Sequence, residues 1–130
     1  MKPEELKART KQFALDVLNL TDSVPFSRKG DAICKQLIRS ATSVGANYRS
    51  ACRARSKADF ISKITVVEEE SDESQYWLEI LMESGVVPID RVAELLKEAD
   101  ELTAIFTSSG KTAKLNRFNP QSTIRNPKSQ

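Results

Sequence analysis

Apolar residues recur at every third or fourth position along most of the 130-residue chain, and this spacing predicts amphipathic helices. Strict alternation and hairpin turn pairs such as Asn-Gly are missing from the sequence, so no strand is predicted. The periodic stretches cover about residues 3–21, 28–53, 56–84 and 88–110. The predicted inward stripes are Leu6, Phe13, Val17 and Leu20; Ile33, Leu37, Ala41, Val44, Tyr48 and Cys52; Phe60, Ile64, Val67, Ser71, Ser74, Leu78 and Leu81; and Val92, Leu95, Leu96, Ala99, Leu102, Thr103 and Phe106.

Short breaks separate these stretches. Pro25 and Gly30 interrupt the chain after the first helix. Ser56 followed by Asp59 forms the S-x-x-D pattern of a capping box, which indicates the start of the third helix. Gly85 is placed to end that helix as a C-cap. Four amphipathic helices with short connections predict an all-α fold, an antiparallel up-down-up-down four-helix bundle.

The bundle is expected to occupy residues 1–117 as one domain, since this length is sufficient for a single hydrophobic core. Residues 118–130 are polar, contain proline and lack a period, so we expect a flexible basic tail. The cations near this end either form a nucleic-acid arm or, as is commoner, only add solubility. They are Lys111, Lys114, Arg117, Arg125 and Lys128.

The third helix carries an acidic stretch, VVEEESDESQYW, at its centre. Ser71 and Ser74 fall on its inward face, where their hydroxyls can bond carbonyls of the preceding turn. A second apolar strip then appears on the outer side, rimmed by acids, and such strips are typical of protein–protein contacts. We favour a contact between copies of the chain over packing of Trp77 across a helix edge. The predicted contact residues are Val66, Glu69, Glu73, Trp77 and Ile80.

The second helix carries cations along one outer line, defined here as the basic stripe: Lys35, Arg39, Arg49 and Arg53. Arg55 and Lys57 follow just beyond it, and no acid occurs between Asp31 and Asp59. One interpretation is that the stripe meets the acidic third helix of a neighbouring subunit. Another is that it meets a phosphate backbone, and the third is a solvated helix face.

The charges are sorted by segment although the formal net charge is only +2. Residues 1–57 hold 12 cations and 5 acids, residues 58–101 hold 3 and 13, and residues 102–130 hold 5 and none. This partition predicts surfaces of opposite sign on the folded molecule.

The amino-acid composition gives little support for an enzyme active site or a metal site. Histidine is absent, so the commonest general base and transition-metal ligand are missing. Cys34 and Cys52 lie 18 residues apart on the predicted second helix, about 27 Å, which is too far for a disulfide. We interpret them as buried small side chains in a reducing, cytoplasmic protein. We therefore expect no enzyme activity, no catalytic or metal site, no cofactor and no membrane span.

Four segments together resemble the family of proteins first named from open reading frames in 23S ribosomal RNA intervening sequences. They are RSATSVGAN, RSKADF, EEESDESQYWLE and LLKEADELTAIF. The resemblance implies a four-helix bundle that assembles as a homopentamer. A related branch contains the accessory variability protein of diversity-generating retroelements, whose basic surface binds nucleic acid and reverse transcriptase. Arg39, Ser43, Asn47, Arg53 and the acids of the third helix match patterned positions for which the family implies no chemical role.

Two functional hypotheses follow. The first is an oligomeric, non-enzymatic protein that binds RNA or DNA electrostatically through the basic stripe, with Arg55 and Lys57 included. The second is a structural or adaptor scaffold whose charged faces serve only assembly or an unidentified protein partner. The acid-free stretch of the second helix favours the first.

Overall fold

A computed structural model describes residues 1–115, which form four helices. The elements are α1 (Pro3–Asp22), α2 (Arg28–Ala51), α3 (Lys57–Ser84) and α4 (Ile89–Leu115). The predicted all-α fold is confirmed over these residues. The proposed domain boundary at residue 117 and the predicted tail, residues 118–130, lie outside the described part of the chain.

Neighbouring helices pair in opposite directions. Lys29 at the start of α2 donates to the carbonyl of Ser84 at the end of α3, at 3.2 Å. On α3 and α4, Glu68 lies beside Thr107, whereas the later Gln75 lies beside the earlier Asp100. These contacts make α2 and α3, and α3 and α4, antiparallel. The arrangement is compatible with the predicted up-down-up-down bundle.

The core follows the predicted stripes closely. All seven inward residues predicted on α3 are buried, as are the four predicted on α1. On α2 the stripe is buried as far as Tyr48, whose ring lies 5.5 Å from that of Phe106 on α4. Leu96 and Thr103, predicted inward, are only partly buried. Burial of this continuous apolar interior supplies most of the stabilisation.

Two predicted helix ends were wrong. The helix predicted to reach residue 53 ends at Ala51, because the Arg53 and Ala54 amides turn back onto carbonyls three residues earlier. The helix predicted to fade near Gly110 continues to Leu115. Gly110 and Ala113 are both buried, so contacts with the rest of the bundle carry α4 through the glycine.

The caps of α3 were predicted well. The Ser56 hydroxyl accepts the Asp59 amide at 3.1 Å, and Gly85 ends the helix with a left-handed φ of 78°. Asp59, however, accepts from the Arg55 amide at 3.4 Å rather than from Ser56, so the capping box is incomplete.

The two inward-facing serines of α3 differ in their hydrogen bonding. The Ser74 hydroxyl lies 2.8 Å from the carbonyl oxygen of Glu70 and 3.0 Å from the Ser40 hydroxyl, which links α3 to α2. The predicted bond of Ser71 to the preceding turn was wrong, since its buried Oγ has no hydrogen-bond partner among residues 1–115. Its small size fits the packed interior, and the lost hydrogen bond is the cost of that fit.

The two cysteines are free, as predicted, but are only partly buried rather than fully so. Cys52 is the C-cap of α2, and Cys34 lies off the inward face. Burial still raises the pKa of both thiols, which disfavours the reactive thiolate.

Candidate nucleic-acid interface

The basic stripe does not present four equivalent cations. Lys35, Arg39 and Arg49 are exposed on α2, and Arg53 is exposed just after the helix ends. Arg39 is ion-paired to Glu70 and Glu73 of α3. Arg39 therefore differs from the other three cations of the basic stripe, because α3 of the same chain places two carboxylates beside it.

Arg39 and its partners form a bridge across the α2–α3 contact. The guanidinium donates to Glu70 Oε1 at 3.2 Å and to Glu73 Oε2. The indole N–H of Trp77 donates to the same Glu73 oxygen at 3.1 Å. The hydrogen bond from Arg39 lowers the pKa of the Glu73 carboxyl, and the Trp77 bond acts in the same direction.

Replacing Arg39 with glutamine should lower the thermal unfolding temperature by a few degrees at pH 7 and by progressively less as the pH is lowered towards 2.5. The folded-state pKa of Glu73 is depressed. Its contribution to stability is therefore present above the ordinary glutamate pKa of about 4.3. It is lost as the pH falls through the lowered value. Since the Arg39 and Glu73 side chains are 46% and 39% exposed, the contribution is at most about 1 kcal/mol.

Thermal unfolding followed by circular dichroism at pH 2.5, 4 and 7 measures this difference. Arg49→Gln is the matched control, because Arg49 lies on the same helix and has no ion pair within residues 1–115. A deficit in the Arg39 variant that persists unchanged at pH 2.5 would contradict the assignment.

One end of the bundle is strongly cationic. We define the basic end by residues 1–8, 48–63 and 110–115, where α1 and α3 begin and α2 and α4 finish. The Lys57 ammonium donates to the Lys114 carbonyl at 3.4 Å, which joins two of these segments. The basic end holds nine lysines and arginines but only three acids.

Two of those three acids are already engaged locally. Glu5 accepts the Lys2 amide at 2.9 Å, and Asp59 accepts the Lys63 ammonium at 3.2 Å. Neither acid lies near the guanidinium groups of Arg49 and Arg53 within ion-pairing distance. The basic end therefore keeps most of its positive charge available to a partner.

The turn between α2 and α3 is what displays these arginines. Ala51 and Ala54 are buried and fix the turn to the core. Arg53 and Arg55, which alternate with these small residues, therefore project into solvent. Of the predicted nucleic-acid residues, Arg49 lies in the last turn of α2, Arg53 and Arg55 in the α2–α3 turn and Lys57 at the start of α3. Lys35 and Arg39 lie further along α2.

The predicted contact strip on α3 lies partly on the surface. Val66 and Ile80 are half-buried, and Glu69 is exposed. Trp77 is partly buried against the core, with its ring edge-on to Tyr76 at 5.0 Å. Packing of Trp77 beside its own chain and a contact with another copy are both compatible with this placement, because Tyr76 stays 53% exposed.

A second arginine bridge was not predicted from the sequence. Arg9 of α1 donates to Glu98 of α4 at 2.6 and 2.8 Å and to Glu101 at 2.7 Å. The two glutamates are three residues apart, as are Glu70 and Glu73, and residues at this spacing share a helix face. That repeated spacing was the available signal for both bridges.

None of the four helices in residues 1–115 combines the length and the apolar character that a membrane span requires. In the same residues, no three cysteine or carboxylate side chains are grouped so that they could hold a metal ion.

Comparison with known proteins identifies the fold family. A model of the 23S rRNA-intervening sequence protein family matches residues 4–108. The chain belongs to this family. A crystal structure of a protein of unknown function from the S23 ribosomal protein family of Bacteroides thetaiotaomicron VPI-5482 is similar, with 32% sequence identity and a TM-score of 0.74. The similarity covers 81% of this chain and 97% of that one. No curated protein matches the chain.

Membership in the 23S rRNA-intervening sequence protein family confirms the resemblance carried by the four quoted segments. The matched range takes in most of the basic end, including the α2–α3 turn, but stops before Lys111 and Lys114. The family name refers to no catalytic activity, and the function of the similar Bacteroides protein is unknown.

Proposed function

We propose that this protein is a non-enzymatic homo-oligomer that binds RNA or DNA electrostatically through its basic end. The contact residues would be Arg49, Arg53, Arg55 and Lys57, with Lys111 and Lys114 of α4 beside them. Binding of this kind depends on phosphates, so it would be insensitive to base sequence and sensitive to salt.

One observation carries the proposal. Arg49 and Arg53 are exposed without a carboxylate partner in the described residues, although 13 acids follow within residues 58–101. Five of these acids are ion-paired with Arg9, Arg39 or Lys63 instead. Guanidinium groups that a fold leaves exposed and clustered suit bidentate contacts with phosphate.

The family supports the choice of probe. Its name connects its members with the intervening sequences of 23S rRNA, so a mixed-sequence RNA is the first nucleic acid to use. A duplex DNA of equal length serves as the second, because a phosphate-directed site should bind both.

Single substitutions on α2 test which part of the helix makes the contact. Arg49→Gln should weaken RNA binding about 5- to 10-fold at 100 mM salt, the effect of losing roughly one phosphate contact. Arg39→Gln should change the affinity less than twofold, because Glu70 and Glu73 already occupy that guanidinium. Fluorescence anisotropy of a labelled RNA measures both. Equal losses of RNA affinity in the two variants would mean that the whole basic stripe binds RNA. That result would overturn the placement of the site at the basic end.

A scaffold function is the second candidate, favoured by the half-buried α3 strip and the exposed ring of Tyr76. The apolar and acidic residues of the α3 strip are suited to contact a second copy of the chain or a protein partner. Sedimentation velocity with and without RNA separates the two functions. A scaffold would sediment as an oligomer that RNA does not alter even at low salt, whereas a nucleic-acid-binding protein would co-sediment with the RNA.

A further inference from the structure

Four flanks lead away from the basic end, one for each pair of neighbouring helices. Acids are concentrated on three of them. On the α2–α3 flank, Glu70 and Glu73 lie beside Arg39. Carboxylates also line the surface between α3 and α4 and the surface between α4 and α1. They are Glu68, Glu69 and Asp72 on the first, and Glu5, Asp16, Glu94, Glu98 and Glu101 on the second. Surfaces of this kind repel a phosphate backbone.

The fourth flank is formed by α1 and α2, and two contacts fix how these helices lie side by side. Thr10 lies against Gly45, where an added methyl group would come within 3.1 Å of the Thr10 hydroxyl. Burial raises the pKa of the Cys52 thiol and the charge of Lys7 opposes that shift, so Lys7 lies close to Cys52. The earlier residue of α1 therefore meets the later residue of α2, and the two helices are antiparallel.

Three cations lie on this α1–α2 flank. Arg49 follows Gly45 by four residues and precedes Cys52 by three, which places it on the side of α2 that faces α1. Lys11 follows Lys7 by four residues and therefore shares its face of α1. Arg49 and Lys7 both lie about 5 Å along the helix axis from the level of Gly45, towards the basic end. None of the three cations has an ion pair within residues 1–115.

Acidic side chains are few on the α1–α2 flank. α2 contains no acid beyond its first turn. Among the acids of α1, Glu5 and Asp16 face α4, and Asp22 lies at the far end of the helix. Glu4 lies on the α2 side, within the first turn of α1. Together with Arg53, which follows α2, this part of the surface holds four cations and one acid.

We propose that nucleic acid bound at the basic end continues along the α1–α2 flank, where Lys7 and Lys11 contact its phosphates beside Arg49. This inference rests on the proposed nucleic-acid function and adds two contact residues and a direction to it. Of the four flanks within residues 1–115, this is the one on which the next phosphates meet cations rather than carboxylates. The contacts end one turn beyond Lys11, where the 46% exposed side chain of Leu15 follows.

Replacing Lys7 and Lys11 together with glutamine should weaken binding to mixed-sequence RNA by at least about 10-fold at 100 mM salt. The slope of log affinity against log salt should become shallower by about 1 to 2, because two phosphate contacts are lost. Anisotropy titrations of a labelled RNA at several salt concentrations give both values. Lys11 is exposed and Lys7 only partly buried, so the fold should tolerate the change, and circular dichroism verifies the helix content.

Arg28→Gln with Lys97→Gln is the matched control. It removes the same charge at the far end of α2 and on the α1–α4 flank, and it should change the affinity less than about twofold. Equal losses in the two double variants, or wild-type affinity in the lysine variant, would overturn the inference. If Arg49→Gln still weakens binding in either case, the proposed function stands without the α1–α2 flank. A wild type that does not bind RNA at low salt overturns both.

Acetylation of the wild-type chain supplies a second measurement that needs no substitution. An N-hydroxysuccinimide ester acetylates accessible lysine amines, and mass spectrometry after digestion gives the extent of reaction at each lysine. Saturating mixed-sequence RNA should protect Lys7 and Lys11 and leave Lys97 unchanged. Protection of Lys111 and Lys114 without protection of Lys7 and Lys11 would confine the RNA to the basic end and overturn the inference. Equal acetylation of all five lysines with and without RNA would overturn the proposed function as well.

Discussion

Replacing Arg49, Arg53 and Arg55 together with glutamate should weaken binding to mixed-sequence RNA by at least about 100-fold at 100 mM salt. Each phosphate contact releases counterions and contributes about 1 kcal/mol at this salt concentration, so losing three removes about 3 kcal/mol. The introduced carboxylates add repulsion to that loss. The slope of log affinity against log salt should become shallower by about 2 to 3, and both quantities come from anisotropy titrations between 50 and 200 mM salt.

The matched control places the same charge change away from the basic end. Arg28, Arg91 and Lys97 are exposed and have no ion pair within residues 1–115. Their combined replacement with glutamate should cost far less affinity than the Arg49/Arg53/Arg55 variant. Equal losses in the two variants would mean that net charge, rather than the basic end, governs binding. Urea unfolding of both variants verifies that the bundle stays folded.

Phe106→Ala should lower the free energy of unfolding by about 3–5 kcal/mol. The Phe106 side chain is completely buried on α4, where it contacts the ring of Tyr48 on α2. Truncation removes its transfer free energy and leaves a cavity that the packed helices close only in part. The aromatic pair with Tyr48 is lost as well. Urea denaturation followed by Trp77 fluorescence gives the difference.

Leu115→Ala is the control on the same helix, because Leu115 is 85% exposed. Its free energy of unfolding should stay within about 0.5 kcal/mol of the wild type. A Phe106 variant that loses less than about 1 kcal/mol would show that α2 and α4 do not meet at this ring.

The buried core residues could be predicted from the sequence because helix geometry repeats. A residue such as Leu78 faces inward whenever Ser74 and Leu81 do, so the period alone assigns the stripe. The C-cap at Gly85 could also be predicted from the local sequence, since only glycine takes a left-handed φ of 78° at low cost. Local sequence rules failed to predict the helix end where tertiary packing determines it. The example is α4, which continues through Gly110.

The candidate site was predictable only in part, for a related reason. Arg39 and Glu73 are 34 residues apart in sequence, and Arg9 and Glu98 are 89 apart. Side-chain period shows which way each residue points but not which residue of another helix it meets. The cations of the α2–α3 turn were found because Arg53 and Arg55 are close together in the chain. The contact of Lys57 with the Lys114 carbonyl could not be predicted in this way, because it depends on tertiary structure.

The paired arginine bridges have a consequence for how the molecule is aligned along its long axis. α1 and α2 form one hairpin and α3 and α4 the other, and Arg9 and Arg39 each join one hairpin to the other. Apolar side chains repeated at every turn would allow the hairpins to slide past each other by about 5.4 Å at moderate loss. A guanidinium shared between two carboxylates disfavours such a displacement, since its hydrogen bonds would lose their partners. Together with the Ser40–Ser74 hydrogen bond, the two bridges thus favour one longitudinal offset of the hairpins over its neighbours.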